Sequence, residues 1–121
     1  MALVLIVDDS PTDQHVLSQA LQRHGFETLV ASEGKEAITL AEREHPDVIL
    51  MDIVMPGMNG FQATRHLTRN PATSSIPVVI LTSKHQETDR IWGFRQGAVS
   101  FITKPVDDDA LVAAVRANIR Q

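Results

Sequence analysis

The chain predicts an α/β fold, a doubly wound five-stranded parallel sheet with helices on both faces. Three observations carry that expectation. Short aliphatic runs recur along the 121 residues, among them Leu3-Val4-Leu5-Ile6-Val7, Val48-Ile49-Leu50-Met51 and Val78-Val79-Ile80-Leu81. Between them lie segments whose apolar residues fall at helical spacing. Polar residues follow four of the runs at once: Asp8-Asp9, Asp52, Thr82-Ser83 and Lys104-Pro105. Aliphatic strands alternating with helices imply a parallel sheet buried on both faces. Right-handed crossovers leave few topologies, and the flavodoxin-like order 2-1-3-4-5 suits five such units. In that order strand 1 lies beside strand 3, and Asp8, Asp9 and Asp52 meet at the switch point between them.

The first strand is expected over 3–7. Ser10-Pro11-Thr12-Asp13 then opens a helix, with Ser10 as cap, Pro11 at the first helical position and Asp13 completing a capping box. Val16, Leu17, Ala20 and Leu21 form its apolar stripe, and Gly25 ends it. A weaker strand is expected over 27–31. A helix over 35–44 turns Ala37, Ile38 and Ala41 inward and stops at His45-Pro46. The third strand is expected over 47–51, and 52–60 form a loop rich in turn residues. A helix over 61–69 sets Phe61, Thr64 and Leu67 on one side, and 70–75 form a polar loop. The fourth strand spans 77–81, with Pro77 tolerated at its first position. A helix over 86–95, a fifth strand over 99–102 and a last helix over 107–120 complete the pattern. In that last helix Leu111, Val112, Val115 and Ile119 recur at helical spacing. No internal repeat or linker interrupts the chain.

Composition narrows the function classes. Hydrophobic residues make up 43% and charged residues 21%, which suits a folded globule rather than a disordered chain. Fifteen acids against 11 bases give a net charge of -4, so neither a nucleic-acid backbone nor an anionic membrane is an expected partner. Cysteine is absent, which removes disulfides and thiolate metal sites. The apolar runs are far short of the ~20 residues that span a bilayer. The start of the chain shows no secretory leader pattern, so the expected location is cytoplasmic. Residues 1–121 are expected to form a single domain whose output passes through a partner.

Three carboxylates held together repel one another, and a buried unpaired set would protonate. A hard divalent cation resolves the conflict. Mg²⁺ takes oxygen ligands, keeps several waters and accepts one or two carboxylates beside a phosphate. Asp9 and Asp52 are the expected direct ligands, with Asp8 acting directly or through water. Asp52 can also attack phosphorus to form an aspartyl phosphate. Such a transfer depends on positioning and charge stabilisation, for which Lys104 and Thr82 are suited.

The motifs Val7-Asp8-Asp9-Ser10, Met51-Asp52-Ile53-Val54-Met55-Pro56-Gly57-Met58-Asn59-Gly60, Leu81-Thr82-Ser83 and Thr103-Lys104-Pro105 together resemble a response-regulator receiver domain of two-component signalling. The likeness runs over residues 1–121. It implies that Asp52 accepts phosphate from a phosphohistidine on a sensor kinase or phosphotransfer domain. It implies that Asp9, Asp52 and the backbone carbonyl of Val54 bind Mg²⁺ with help from Asp8, and that Thr82 and Lys104 engage the phosphoryl group. It also implies a cis peptide between Lys104 and Pro105. The segments Trp92-Gly93-Phe94-Arg95-Gln96-Gly97-Ala98 and Gly60-Phe61-Gln62-Ala63-Thr64-Arg65 resemble the stand-alone, PilH-like regulators of type IV pilus twitching motility, with CheY-like flagellar regulators as near neighbours. The family's switch aromatic falls at Phe101, which lacks a phenolic hydroxyl. A switch here is expected to work by packing, with Thr82 drawn to the phosphoryl group and Phe101 turning inward. The face of helix 4, strand 5 and helix 5 would carry the change to a downstream protein. Val54 and Lys84 stand where the family tunes water access to the phosphoryl group.

Other features read more plainly. His15, His24, His45, His66 and His85 are scattered and expected at the surface. Asp107-Asp108-Asp109 caps the last helix and complements its dipole. Trp92 is either core filler or a partner anchor, since Ile91 with Phe94 or Arg95 would form the packed stripe of its helix. Alternative functions are a chemotaxis regulator, a phosphate sink, a metal-dependent phosphohydrolase using an aspartyl phosphate, a phosphate-independent interaction module and an FMN binder. A phosphohydrolase would want a second acid where Val54 stands. An intact acid, Thr and Lys set argues against a phosphate-independent module, and no Ser/Thr-rich phosphate loop follows strand 1 to hold FMN. Turnover of exogenous substrate is not expected.

Overall fold

The computed structural model describes residues 2–83 and 86–119. Its strands are β1 (Leu3–Val7), β2 (Glu27–Ala31), β3 (Val48–Met51), β4 (Val78–Thr82) and β5 (Ser100–Thr103), and its helices are α1 (Pro11–Arg23), α2 (Gly34–Glu44), α3 (Gly60–Arg69), α4 (Glu87–Arg95) and α5 (Asp108–Asn118). All strand pairings are parallel, in the order β2-β1-β3-β4-β5. Fold class and strand order are those the sequence predicts.

Side-chain alternation along each strand builds two cores. Val4 and Ile6 of β1, Leu50 of β3 and Val79 and Leu81 of β4 face Leu17, Leu21, Leu111 and Val115 of α1 and α5. Leu5, Val7, Ile49, Met51 and Val78 face the other way, onto Ala37 and Ala41 of α2 and Ala63 and Leu67 of α3. A third, smaller cluster of Ile53, Ile80, Ala98 and Phe101, with Phe61 against it, lies under α4.

Several expectations need correction. Val16 is exposed, because α1 rests on the sheet through Leu17, Ala20 and Leu21 alone. Ser10 caps α1 by accepting from the Asp13 N–H at 3.2 Å, but Asp13 does not return the bond. The Ser10 N–H is already taken by Asp8 Oδ1 at 2.9 Å, so the box is half formed. Helix α3 begins one residue early, at Gly60, because Asn59 and Gln62 form a reciprocal capping box. Helix α2 ends at Glu44 as expected, with His45 capping it in the left-handed region at φ 46°. The expected stripe of α4 is absent. Ile91, Trp92 and Phe94 are all exposed, and Gly93 is the buried residue of that helix. Asp107 caps α5 through the Ala110 N–H, as expected. The expected end of α5 at Arg120 lies outside the described residues; within them the helix spans Asp108–Asn118.

Candidate phosphoryl and cation site

Backbone pairing carries the site residues just past the strand ends. The Asp8 N–H donates to Ala31 O at 3.0 Å, Asp52 N–H to Val7 O at 2.9 Å and Lys104 N–H to Thr82 O at 2.8 Å. Each bond continues the sheet ladder by a residue, so Asp8, Asp52 and Lys104 start from fixed positions. The Lys104–Pro105 peptide is cis. Gly60 closes the loop after Asp52 by donating to Ile53 O at 2.9 Å. A Cβ on Gly60 would lie 2.0 Å from the Asp52 carbonyl oxygen, so only glycine lets α3 start against this loop.

Asp8, Asp9, Asp13, Asp52, Ser10, Val54, Ser83 and Lys104 line one open pocket. Asp8, Asp9 and Asp52 each offer a carboxylate oxygen within 4.8 Å of the others, the one such group of three or more metal-ligating residues among the described residues. Asp8 is buried and Asp9 exposed, so the cluster spans the wall and mouth of the pocket. Lys104 Nζ lies 2.7 Å from Asp8 Oδ2, 2.9 Å from Asp13 Oδ2 and 3.8 Å from Asp52 Oδ2. Asp52 also accepts from the Ile53 N–H at 2.8 Å and from the buried Thr82 hydroxyl. The donor set fits a small hard cation, being all oxygen, clustered and partly open to water.

Burial raises the Asp52 pKa. Thr82 and Lys104 oppose that rise, Asp8 adds to it and the Ile53 N–H opposes it, leaving the net shift upward. For Lys104, burial pulls the pKa down, but hydrogen bonds to Asp8 and Asp13 and the charges of Asp52 and Asp8 outweigh it, so the pKa rises. Lys104 is thus shared by three carboxylates, those of Asp8, Asp13 and Asp52.

The structure thus gathers Asp8, Asp9, Asp52, Thr82 and Lys104, with Val54 at the rim and its side chain exposed. Sequence reasoning assigned Asp13 to a helix cap and missed its place in the pocket. Its signal was spacing: a carboxylate in the first turn of the helix that leaves the acid pair. Phe101 corrects an expectation. Its side chain is already buried, packed with Ile80 and Gly93 of α4 above it and the Arg90 guanidinium 5.6 Å from the ring centroid. An inward turn on phosphorylation therefore has no outward starting point here. Lys84 and His85 lie outside the described residues. His15, His45 and His66 are exposed, and His24 Nδ1 sits 2.9 Å from Ala20 O in its own helix. Trp92 is exposed, with the Arg95 guanidinium 6.0 Å from its ring. No described helix is long and apolar enough to cross a membrane.

Fold and pocket define a doubly wound domain that brings a cluster of three carboxylates and a lysine together at the sheet's switch point. Residues 4–116 match the response regulator receiver domain family. The chain is 56% identical over 117 residues to the protein PilH of Pseudomonas aeruginosa, covering 97% of both chains. It is 42% identical over 119 residues to the response regulator PleD of Caulobacter vibrioides, of which it spans 26%. Among solved structures, the chemotaxis protein CheY4 of Vibrio cholerae superposes with a TM-score of 0.93 at 30% identity, over 98% of this chain and 99% of that one. The BeF₃-activated receiver domain of RstA from Klebsiella pneumoniae superposes with a TM-score of 0.91 at 29% identity, over 98% and 99% of the two chains. This chain belongs to the response regulator receiver domain family.

Proposed function

We propose that this chain is a phosphorylation-controlled switch whose phosphoacceptor is Asp52. The supporting observation is the pocket itself, where Asp52 sits between the Asp8-Asp9 pair and Lys104, with Thr82 bonded to its carboxylate. A carboxylate oxygen of Asp52 attacks phosphorus on a phosphohistidine of a sensor kinase or phosphotransfer domain. The P–N bond breaks, its electron pair stays on the imidazole nitrogen, and that nitrogen takes a proton from solvent. Asp8, Asp9, Asp52 and the Val54 backbone carbonyl would hold Mg²⁺, which would supply positive charge to the phosphoryl oxygens. Lys104 supplies the same kind of charge from the β5 side, and the Thr82 hydroxyl transfers from the carboxylate to the phosphoryl group. The acceptor is used once per phosphorylation event, so the chain acts as a regulated substrate of its kinase rather than as an enzyme with turnover.

Output then passes through α4, β5 and α5. Since Phe101 is already packed, the signal in this reading is a shift of α4 over Phe101 rather than a turn of the ring. Ile91, Trp92, Phe94 and Val99 offer exposed apolar surface to the downstream protein. The likeness to PilH supports a cytoplasmic role in type IV pilus twitching motility, with a chemotaxis regulator or a phosphate sink as the neighbouring readings.

The decisive experiment is intact-mass spectrometry after acetyl phosphate and Mg²⁺. Wild type should gain one phosphate and Asp52→Asn none, and full labelling of the variant would overturn the assignment. A twitching assay in a strain carrying Asp52→Asn tests the physiological role.

A further inference from the structure

We propose that Asp13 is a positioning residue that holds Lys104 back from Asp52 and so sets how readily the pocket accepts a phosphoryl group. The inference rests on the phosphoacceptor reading above. It starts from the unformed half of the α1 capping box. Asp8 Oδ1 takes the Ser10 N–H at 2.9 Å, which leaves the Asp13 carboxylate without its capping partner. That carboxylate turns to Lys104 and accepts from Nζ at 2.9 Å.

The ammonium has three donor directions. Asp8 takes one at 2.7 Å and Asp13 another at 2.9 Å, while Asp52 waits at 3.8 Å, beyond hydrogen-bond reach. The two held positions differ in exposure. The Asp8 side chain is 2% exposed and the Asp13 side chain 44% exposed. Asp8 is fixed by burial and by its bond to Ser10, whereas Asp13 stands at the pocket mouth, where water can replace it. Asp13 is therefore the partner that Lys104 gives up when a phosphoryl group arrives on Asp52. An interaction present before transfer and lost after it raises the barrier to transfer. Asp13 acts here as a brake working through lysine.

The test is a double-mutant cycle of Asp13→Asn with Lys104→Gln, read as the rate of labelling by acetyl phosphate in Mg²⁺. Asp13→Asn should label about threefold faster or more, as coupled contacting residues allow. In the Lys104→Gln background the same change should have no effect, because the lysine it restrains is gone. Asp13→Glu should return the rate towards wild type. An Asp13→Asn rate equal to wild type overturns the proposal, and so does an equal acceleration in both backgrounds, which would mark a general charge effect. If Lys104→Gln labels too slowly to time, the same cycle read as beryllofluoride affinity by ¹⁹F NMR decides between those outcomes. Failure of wild type itself to gain phosphate is a different result and sinks the phosphoacceptor reading instead.

Discussion

Replacing Lys104 by methionine removes the cation and keeps most of the apolar stem. At an effective dielectric of about 20, unit charges at the Asp8 distance of 2.7 Å attract by about 6 kcal/mol, and at the Asp52 distance of 3.8 Å by about 4 kcal/mol. The half-exposed Asp13 pair adds little. Much of that attraction is offset by the desolvation of lysine, which the variant no longer bears. What remains is a buried Asp8 facing Asp52 with no counter-charge, a defect that costs about 3 kcal/mol or somewhat more. With about 2.1 cal/mol/K of unfolding entropy per residue over 121 residues, that loss lowers the melting temperature by about 12 °C. The pH dependence has a definite sign. The native lysine has a raised pKa, so its contribution is whole below its ordinary 10.5 and fades only as pH climbs through the higher folded value. In Lys104→Met, Asp52 loses a charge that opposes its already raised pKa, so the deficit is largest at neutral pH and shrinks on acidification. Added Mg²⁺ should restore part of it by occupying Asp8, Asp9 and Asp52. Thermal melts in EDTA and in Mg²⁺, across pH, read all three effects. A variant within about 1 kcal/mol of wild type at neutral pH, or a deficit indifferent to Mg²⁺, would refute the claim that one lysine balances this cluster.

Other substitutions probe separate parts of the design. Asp52→Asn should stabilise the metal-free protein at neutral pH, because the folded pKa of Asp52 is raised and its ionised form costs stability; the gain should fade as pH falls through that raised value and be gone below the ordinary 3.8, as melts in EDTA will show. Gly60→Ala places a Cβ 2.0 Å from the Asp52 carbonyl oxygen and 2.9 Å from Ile53 Cα, both backbone atoms, and should cost more than about 3 kcal/mol in urea unfolding. Gly93→Ala meets the tip of Ile80 at 2.6 Å, a side chain that can turn, and gains about 1 kcal/mol of helix propensity; overall stability should change by less than about 1 kcal/mol while amide shifts move along α4 and β5. Ser10→Ala should lose about 1 kcal/mol with the α1 cap, measured the same way.

Much of this was legible in the sequence, for physical reasons that differ between residues. The strands were visible because a parallel sheet buried on both faces needs unbroken aliphatic runs, and Asp8, Asp52 and Lys104 follow such runs directly. Boundaries moved by a residue where a cap decided them, as at Gly60, where Asn59 and Gln62 start α3 against a loop that only glycine can touch. Helix α4 misled, because apolar spacing marks a face without saying whether core or solvent lies beside it, and here Gly93 takes the core position that Ile91 was expected to fill. Asp13 was misread for a subtler reason. Its neighbours in sequence suit a capping box, and only the tertiary claim of Asp8 on Ser10 releases it for Lys104. Phe101 showed which position carries the aromatic but not which way the ring already points.

The bond between Lys104 and Asp8 joins positions 96 apart in the chain. Its length in sequence makes it one of the last contacts a folding molecule can close, since loop closure grows more costly with separation and distant pairings form late. Until β5 docks, a nascent chain already holding β1 and β3 together carries Asp8 and Asp52 side by side with no ammonium between them. In a chain that has paired β1 with β3 before β5 docks, the acid pair would be a repulsive spring, becoming a bound cluster once β5 is in place. Dissolved Mg²⁺ is the natural counter-charge for that interval, so refolding should run faster in its presence even when no phosphoryl donor is at hand.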